Sequence, residues 1–220
     1  MIVYLHGNAS SRCEGAQHAK KFLSNDYNIF VFDFIGCGHS DGEFITLGAK
    51  EQYDIKPIIE YLKSTKLVPK IILYGWSMGA ATALLYMSKN PDPLVAGIVI
   101  DSPFAKLSEL VKDIMNSIKI PDFFFKGFYA FAKENLKLVY DFDIDELNPM
   151  DGLEKVKVPA IFLHSVNDTL IPIKHSEMIY KQYGGPKENE WFSEKYSNDA
   201  HNAPRPPVIG KRILKFIKNL

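Results

Sequence analysis

This 220-residue sequence predicts an α/β fold built on a mostly parallel sheet. Three observations carry that prediction. Short apolar runs rich in valine, isoleucine and phenylalanine alternate along the chain with longer segments of helical spacing. The runs are apolar at successive positions, as strands covered by helices on both faces must be. Glycine, proline and asparagine clusters punctuate the junctions between them.

The elements follow in order. Ile2–Leu5 is a short apolar run ending in His6-Gly7. Lys20–Leu23 closes a helix. Asn28–Phe34 (NIFVFDF) reads as a buried strand, broken by the turn residues Gly36-Cys37-Gly38 and Asp41-Gly42. Lys50–Lys63 places Tyr53, Ile55, Ile58, Ile59 and Leu62 on one helical stripe, with Pro57 in its first turn or at a kink. Lys70–Tyr74 is the next strand, Met78–Lys89 the next helix and Val95–Asp101 (VAGIVID) another strand. Ala160–His164 is a later strand, and helical segments over Ile173–Tyr183 and Pro207–Leu220 complete the chain. One interval breaks the rhythm: residues 104–147 are amphipathic, rich in phenylalanine and without a core strand. They read as a helical insertion within a single domain spanning 1–220. Its aromatic residues either pack onto the sheet or form a lid over a pocket.

Composition bounds the function. Hydrophobic residues at 46% and charged residues at 24% describe a globular chain with a well-buried core. Lysine plus arginine equals aspartate plus glutamate at 26 each, so no electrostatic ground exists for expecting nucleic acid as the main partner. Cys13 and Cys37 form no C-x-x-C pair, which suits free thiols in a cytoplasmic protein. No apolar run approaches the roughly 18 residues of a membrane span. The start, MIVYLHGNAS, lacks the basic region of a signal peptide.

Gly75-Trp76-Ser77-Met78-Gly79 carries the strongest chemical signal. It is a G-x-S-x-G set directly between a strand and a helix, the context a nucleophile elbow requires. Such a turn is too tight for flanking side chains, and the following helix aims its N–H groups at a developing oxyanion. A serine hydroxyl needs a base, and the base needs an orienting carboxylate, in the chain order Ser, Asp or Glu, His. His6, His18 and His39 precede Ser77; His164 ends a strand and His175 begins a helix. His201, in the loop before the last helix, stands where the base belongs. Asp168, in the turn leaving the strand Ala160–His164, is the expected acid, and Asp199 is its weaker competitor. The oxyanion hole is expected from the backbone N–H groups of Met78 and Asn8. The loop GCGHSDG (36–42) lacks the helix that a dinucleotide site demands. No P-loop and no H-E-x-x-H motif occurs, and no cofactor or metal is expected.

LHGN, FDFIGCGHSDG, GWSMGAAT, DSPF, NDTLIP and HNAPRP, in this order, resemble the α/β-hydrolase superfamily over essentially the whole chain. The sequence is most similar to a group of plant and protist serine hydrolases with HGNSSSR, GRSMGA and DHNSPRP motifs. More distantly it is similar to Bem46-like proteins, serine-aminopeptidase-like hydrolases and cinnamoyl esterases. The resemblance implies an acyl-transfer enzyme with Ser77, Asp168 and His201 as its triad. Trp76 stands where that group commonly has arginine. The resemblance also implies the strand order 1-2-4-3-5-6-7-8, with Ile2–Leu5 as strand three and Asn28–Phe34 as strand four. The first two strands are then lacking, truncation is the expected reason, and residues 28–34 become an apolar edge through which copies could associate.

The sequence thus reads as a serine hydrolase of carboxylic esters or thioesters, acting on a small acyl substrate. Trp76, Phe128 and Phe131 are its expected substrate contacts, and Phe123, Phe124 and Phe125 are expected to join them in lining an acyl pocket. A serine-aminopeptidase-like peptidase is the second reading, and a non-catalytic scaffold of the same fold is the third.

Overall fold

The computed structural model describes residues 1–119, 121–193 and 201–220. Six strands form one sheet in the order β2-β1-β3-β4-β5-β6, and all five neighbouring pairs run parallel. In chain order these are β1 (Ile2–Leu5), β2 (Ile29–Val31), β3 (Ile71–Trp76), β4 (Val95–Asp101), β5 (Ala160–Ser165) and β6 (Lys187–Phe192). The helices are α1 (Arg12–Gln17), α2 (Ala19–Leu23), α3 (Gln52–Ser64), α4 (Met78–Lys89), α5 (Leu107–Ser117), α6 (Asp122–Tyr140), α7 (Lys174–Gln182) and α8 (Pro207–Lys218).

The near-continuous apolar strands are explained by what covers them. Successive side chains of a strand point to opposite faces, and here both faces are buried. Val3, Leu5, Leu73, Ile98, Ile100 and Phe162 meet Ile55 and Ile59 of α3, Leu84 of α4 and Ile179 of α7. Ile2, Tyr4, Ile72, Tyr74, Val99, Ile161 and Leu163 meet Phe22 of α2 and Ile209, Ile213 and Phe216 of α8. Each such aliphatic or aromatic side chain contributes about 1.5–3 kcal/mol on burial. A third cluster seats the 104–147 insertion: Phe104, Leu107, Leu110, Phe142, Ile144 and Leu147 pack on Ala81 and Leu85 of α4.

Two strands differ from the sequence reading. The expected strand over 28–34 pairs only at Ile29–Val31, and its three residues are half-buried. Phe34 has turned away from the sheet edge into the core, packing on Phe32 at 4.9 Å between ring centroids. The apolar edge is therefore shorter than its sequence suggests. Strand β6 was not foreseen, because KENEWF has no apolar run; it lies at the other edge, where Arg212 of α8 pairs with Glu188 and Glu190.

The GCGHSDG loop is a wrapping for one carboxylate. Asp33 accepts from the Arg12 and His39 backbone N–H groups at 2.6 and 3.0 Å and pairs with the Arg12 guanidinium at 2.6 Å. Gly38, at φ +53°, has no room for a Cβ against that carboxylate.

His18 is expected to make the fold acid-sensitive. It packs between Tyr4, Tyr74 and Phe22, and burial pushes its pKa down to about 4. Burial lowers His6 and His175 in the same direction. A base whose folded pKa lies below its ordinary value, about 6.5, stabilises the fold fully only above that value. Stability is therefore expected to fall as pH drops from about 6.5 toward 4, and less steeply in His18→Phe. Urea denaturation at stepped pH measures this; a flat profile across that window contradicts it.

Candidate active site

Ser77 sits at φ 53° and ψ −116°, between the end of β3 and the first turn of α4. A non-glycine residue in that region is strained, and such strain is characteristic of sites where a side chain must be thrust outward. The strain is held by backbone bonds: Ser77 N–H donates to Asp101 C=O at 2.8 Å, and Ser77 C=O accepts from Ala80 and Ala81. Both glycines of the G-x-S-x-G are sterically required. A Cβ on Gly75 would overlap the Gly79 carbonyl, and one on Gly79 would overlap the Leu5 carbonyl of β1.

The side chains named from sequence converge. Ser77 Oγ lies 3.1 Å from His201 Nε2, and His201 Nδ1 lies 2.7 Å from Asp168 Oδ2. All three residues are buried. Asp168 is fixed by its own turn, where Oδ1 accepts from the Leu170 and Ile171 N–H groups at 3.0 and 2.8 Å. Burial by itself would raise the Asp168 pKa; hydrogen bonds from His164 and His201, with the Ile171 N–H, outweigh it and hold the carboxyl far below its ordinary range. With Asp168 anionic, Nδ1 of His201 keeps the proton, and Nε2 is the lone pair facing Ser77. Asp199 lies outside the described residues.

Leu5 is in register with Gly75, so His6-Gly7-Asn8 leaves the sheet beside Trp76-Ser77-Met78. His6 Nε2 accepts the Phe34 N–H at 3.1 Å, which leaves Nδ1 to donate to the Gly7 carbonyl at 2.8 Å. The Gly7 N–H is taken by Glu14. Among the described residues no protein acceptor takes the N–H of Asn8 or of Met78. Two donors are thus open at the expected place.

The expected substrate contacts are distributed differently. Trp76 stacks on the His201 ring, at 5.3 Å and 28° between planes, and abuts Gly7. It also lines a pocket of about 350 Å³ with Glu14, His18, Lys21 and Asp101. Phe128 and Phe131 point to solvent, 60% and 68% exposed, and so do Phe123 and Phe124. The apolar cavity lies deeper, about 340 Å³ between Phe44–Leu47 and Leu107, Val111, Leu136, Tyr140, Phe142 and Ile144. Most of its lining residues, Leu47, Leu107 and Phe142 among them, belong to the cluster that contains Ala81, one turn along α4 from Ser77. Among the described residues, no three His, Cys, Asp or Glu side chains group to hold a metal ion.

Three residues have roles that the sequence did not suggest. His164 Nε2 lies 2.8 Å from the Ile171 carbonyl and 3.4 Å from Asp168 Oδ2, while its Nδ1 faces Ser176 Oγ. Its Nε2 thus faces both the Ile171 carbonyl and the Asp168 carboxylate, and the ring braces the Asp168 turn. Arg205 grips Asp101 through Nε and Nη2, at 3.0 and 2.8 Å, and donates from Nη1 to the His201 carbonyl at 3.2 Å. Asp101 also fixes the Ser77 N–H, so one buried ion pair joins the backbones of Ser77 and His201. Arg205→Met leaves Asp101 buried and unpaired, and is expected to cost about 3–5 kcal/mol. The double variant Asp101→Asn/Arg205→Met is expected to recover much of that loss in urea denaturation; equal losses in both contradict the pairing.

The fold and this constellation are those of an α/β-hydrolase. Residues 1–140 match the family described as serine aminopeptidase, S33. An uncharacterized protein of Acanthamoeba polyphaga mimivirus is 30% identical over 214 residues, 94% of this chain and 68% of that protein. The protein bem46 of Schizosaccharomyces pombe is 24% identical over 191 residues, 85% of this chain and 57% of the relative. A solved esterase of Pyrococcus furiosus superposes with a TM-score of 0.73 at 24% identity, covering 99% of this chain and 81% of its own. The chain belongs to the S33 family within the α/β-hydrolase superfamily and is a hydrolase.

Proposed function

We propose that this chain is a serine esterase, cleaving carboxylic esters or thioesters of small acyl substrates through an acyl-enzyme. The observation that supports this most is the continuous hydrogen-bonded line from Ser77 through His201 to Asp168. Ser77 Oγ attacks the carbonyl carbon as its proton passes to His201 Nε2. The negative charge on the carbonyl oxygen is met by the N–H groups of Asn8 and Met78. The tetrahedral intermediate collapses, the ester C–O or thioester C–S bond breaks, and His201 returns the proton to the departing alcohol or thiol. Water, deprotonated by His201, then attacks the acyl carbon and releases the carboxylic acid and Ser77.

In this reading the 104–147 insertion is the lid, and the cavity beneath α5 and α6 receives the acyl chain. The cavity favours an acyl group over the free amino terminus that an aminopeptidase must hold. Its described lining is apolar and carries no carboxylate to pair with an ammonium. The free thiols Cys13 and Cys37 support a cytoplasmic setting.

Each acyl CH₂ buried contributes up to about 0.8 kcal/mol, about fourfold in kcat/KM. Preference among p-nitrophenyl esters is therefore expected to rise from acetate toward medium-chain acyl groups. Val111→Trp, which fills the cavity, is expected to reverse that preference. A strict preference for acetate, unchanged in Val111→Trp, would contradict the acyl assignment.

A further inference from the structure

Helix α6 is apolar on two faces, and among the described residues only one of them has a partner. The inward face places Tyr129, Leu136 and Tyr140 against the cluster on α4. The outward face carries Phe124, Phe128, Phe131 and Leu138, from 60% exposed at Phe128 to 81% at Leu138. With Asn135 these positions are spaced 4-3-4-3, the a/d repeat of a helix-to-helix seam rather than the scatter of single exposed side chains. Gly127 and Ala132 flank the seam. A Cβ on Gly127 would meet no atom within 4 Å, so no contact among the described residues requires glycine there. Glycine inside a helix costs about 1 kcal/mol relative to alanine, and close approach of another helix is what it permits.

We propose that two copies of this chain associate by packing α6 against α6 along this seam. The stripe is the same on both copies, as a two-fold interface requires. At roughly 150–250 Å² for a whole aromatic side chain, the stripe with Phe123 and Val139 offers on the order of 700 Å² per copy. A stable interface needs about 800 Å² per partner, so the stripe and its rim suffice. Asn135 at an a position restricts register, as a polar residue in such a seam does. An anionic lipid surface fits less well. The charge beside the seam is Glu134, while Lys133 and Lys137 lie on another arc and pair with Asp143 and Asp145.

The test is sedimentation equilibrium of the full chain at roughly 1–100 μM, where interfaces of this size are populated. Wild type is expected to be dimeric, and Phe128→Glu/Phe131→Glu monomeric with an unchanged far-UV circular dichroism melt. Leu138→Lys is a second single variant, expected to weaken the dimer at least tenfold should the double variant fold poorly. Two results overturn the proposal: a monomeric wild type, whether or not it co-sediments with phosphatidylglycerol vesicles, or a dimer that persists in folded variants. None of these readings depends on ester hydrolysis, so the dimer and the esterase proposal fail independently.

Discussion

Ser77→Ala is expected to lower ester turnover by about 10⁴–10⁶-fold with little change in melting temperature. The loss is large because, among the described residues, Ser77 Oγ is the group that faces His201 Nε2, at 3.1 Å. Stability is retained because the backbone bonds that hold the strained turn do not use the hydroxyl. Ser77 N–H still donates to the Asp101 carbonyl, and Ser77 C=O still caps α4. Alanine keeps the same Cβ, so the φ of 53° becomes no worse. Turnover of p-nitrophenyl esters beside a thermal melt checks both halves. Turnover within about tenfold of wild type would remove Ser77 from the mechanism.

Asp168→Asn is expected to cost about 10⁴-fold at neutral pH, through the tautomer rather than through geometry. The Oδ1 bonds from Leu170 and Ile171 can be made by an amide oxygen, so the turn survives. The amide nitrogen then faces His201 Nδ1 at the position of Oδ2 and donates to it. That moves the ring proton to Nε2, where it can no longer accept from Ser77. The loss is expected in kcat, with the cavity and KM little changed. Asp199→Asn is expected to stay within a few-fold of wild type. A larger loss in Asp199→Asn than in Asp168→Asn would reassign the acid.

How much of this was legible in the sequence depended on whether burial was two-sided. Met78–Lys89 and Val95–Asp101 match the bounds read from the sequence because helix and strand there are buried along almost their whole length. Strand β6 was hidden because an edge strand under α8 needs no apolar run, only glutamates for Arg212. The reverse error occurred at NIFVFDF, where Phe34 is apolar for the loop's sake and not the sheet's. The G-x-S-x-G and the order of its partners pointed to Ser77, Asp168 and His201, three side chains that the fold brings within hydrogen-bond reach of one another. Arg205 was harder, although it stands four residues after His201 in HNAPRP. Nothing local announces that its partner, Asp101, lies at the end of a strand 104 residues earlier. The phenylalanines of α6 were legible only as composition, which counts apolar residues without saying which face packs; Phe123, Phe124, Phe128 and Phe131 are exposed. Their 4-3-4-3 spacing was the available signal that the helix has a second apolar face.

The most direct test of the esterase mechanism is covalent. The intact chain is treated with a fluorophosphonate probe, digested, and the modified peptide sequenced by mass spectrometry. The prediction is stoichiometric modification of Ser77, abolished in Ser77→Ala and strongly slowed in Asp168→Asn, because only an activated hydroxyl attacks phosphorus at a useful rate. An unreactive folded protein, or modification at any other serine, would contradict it.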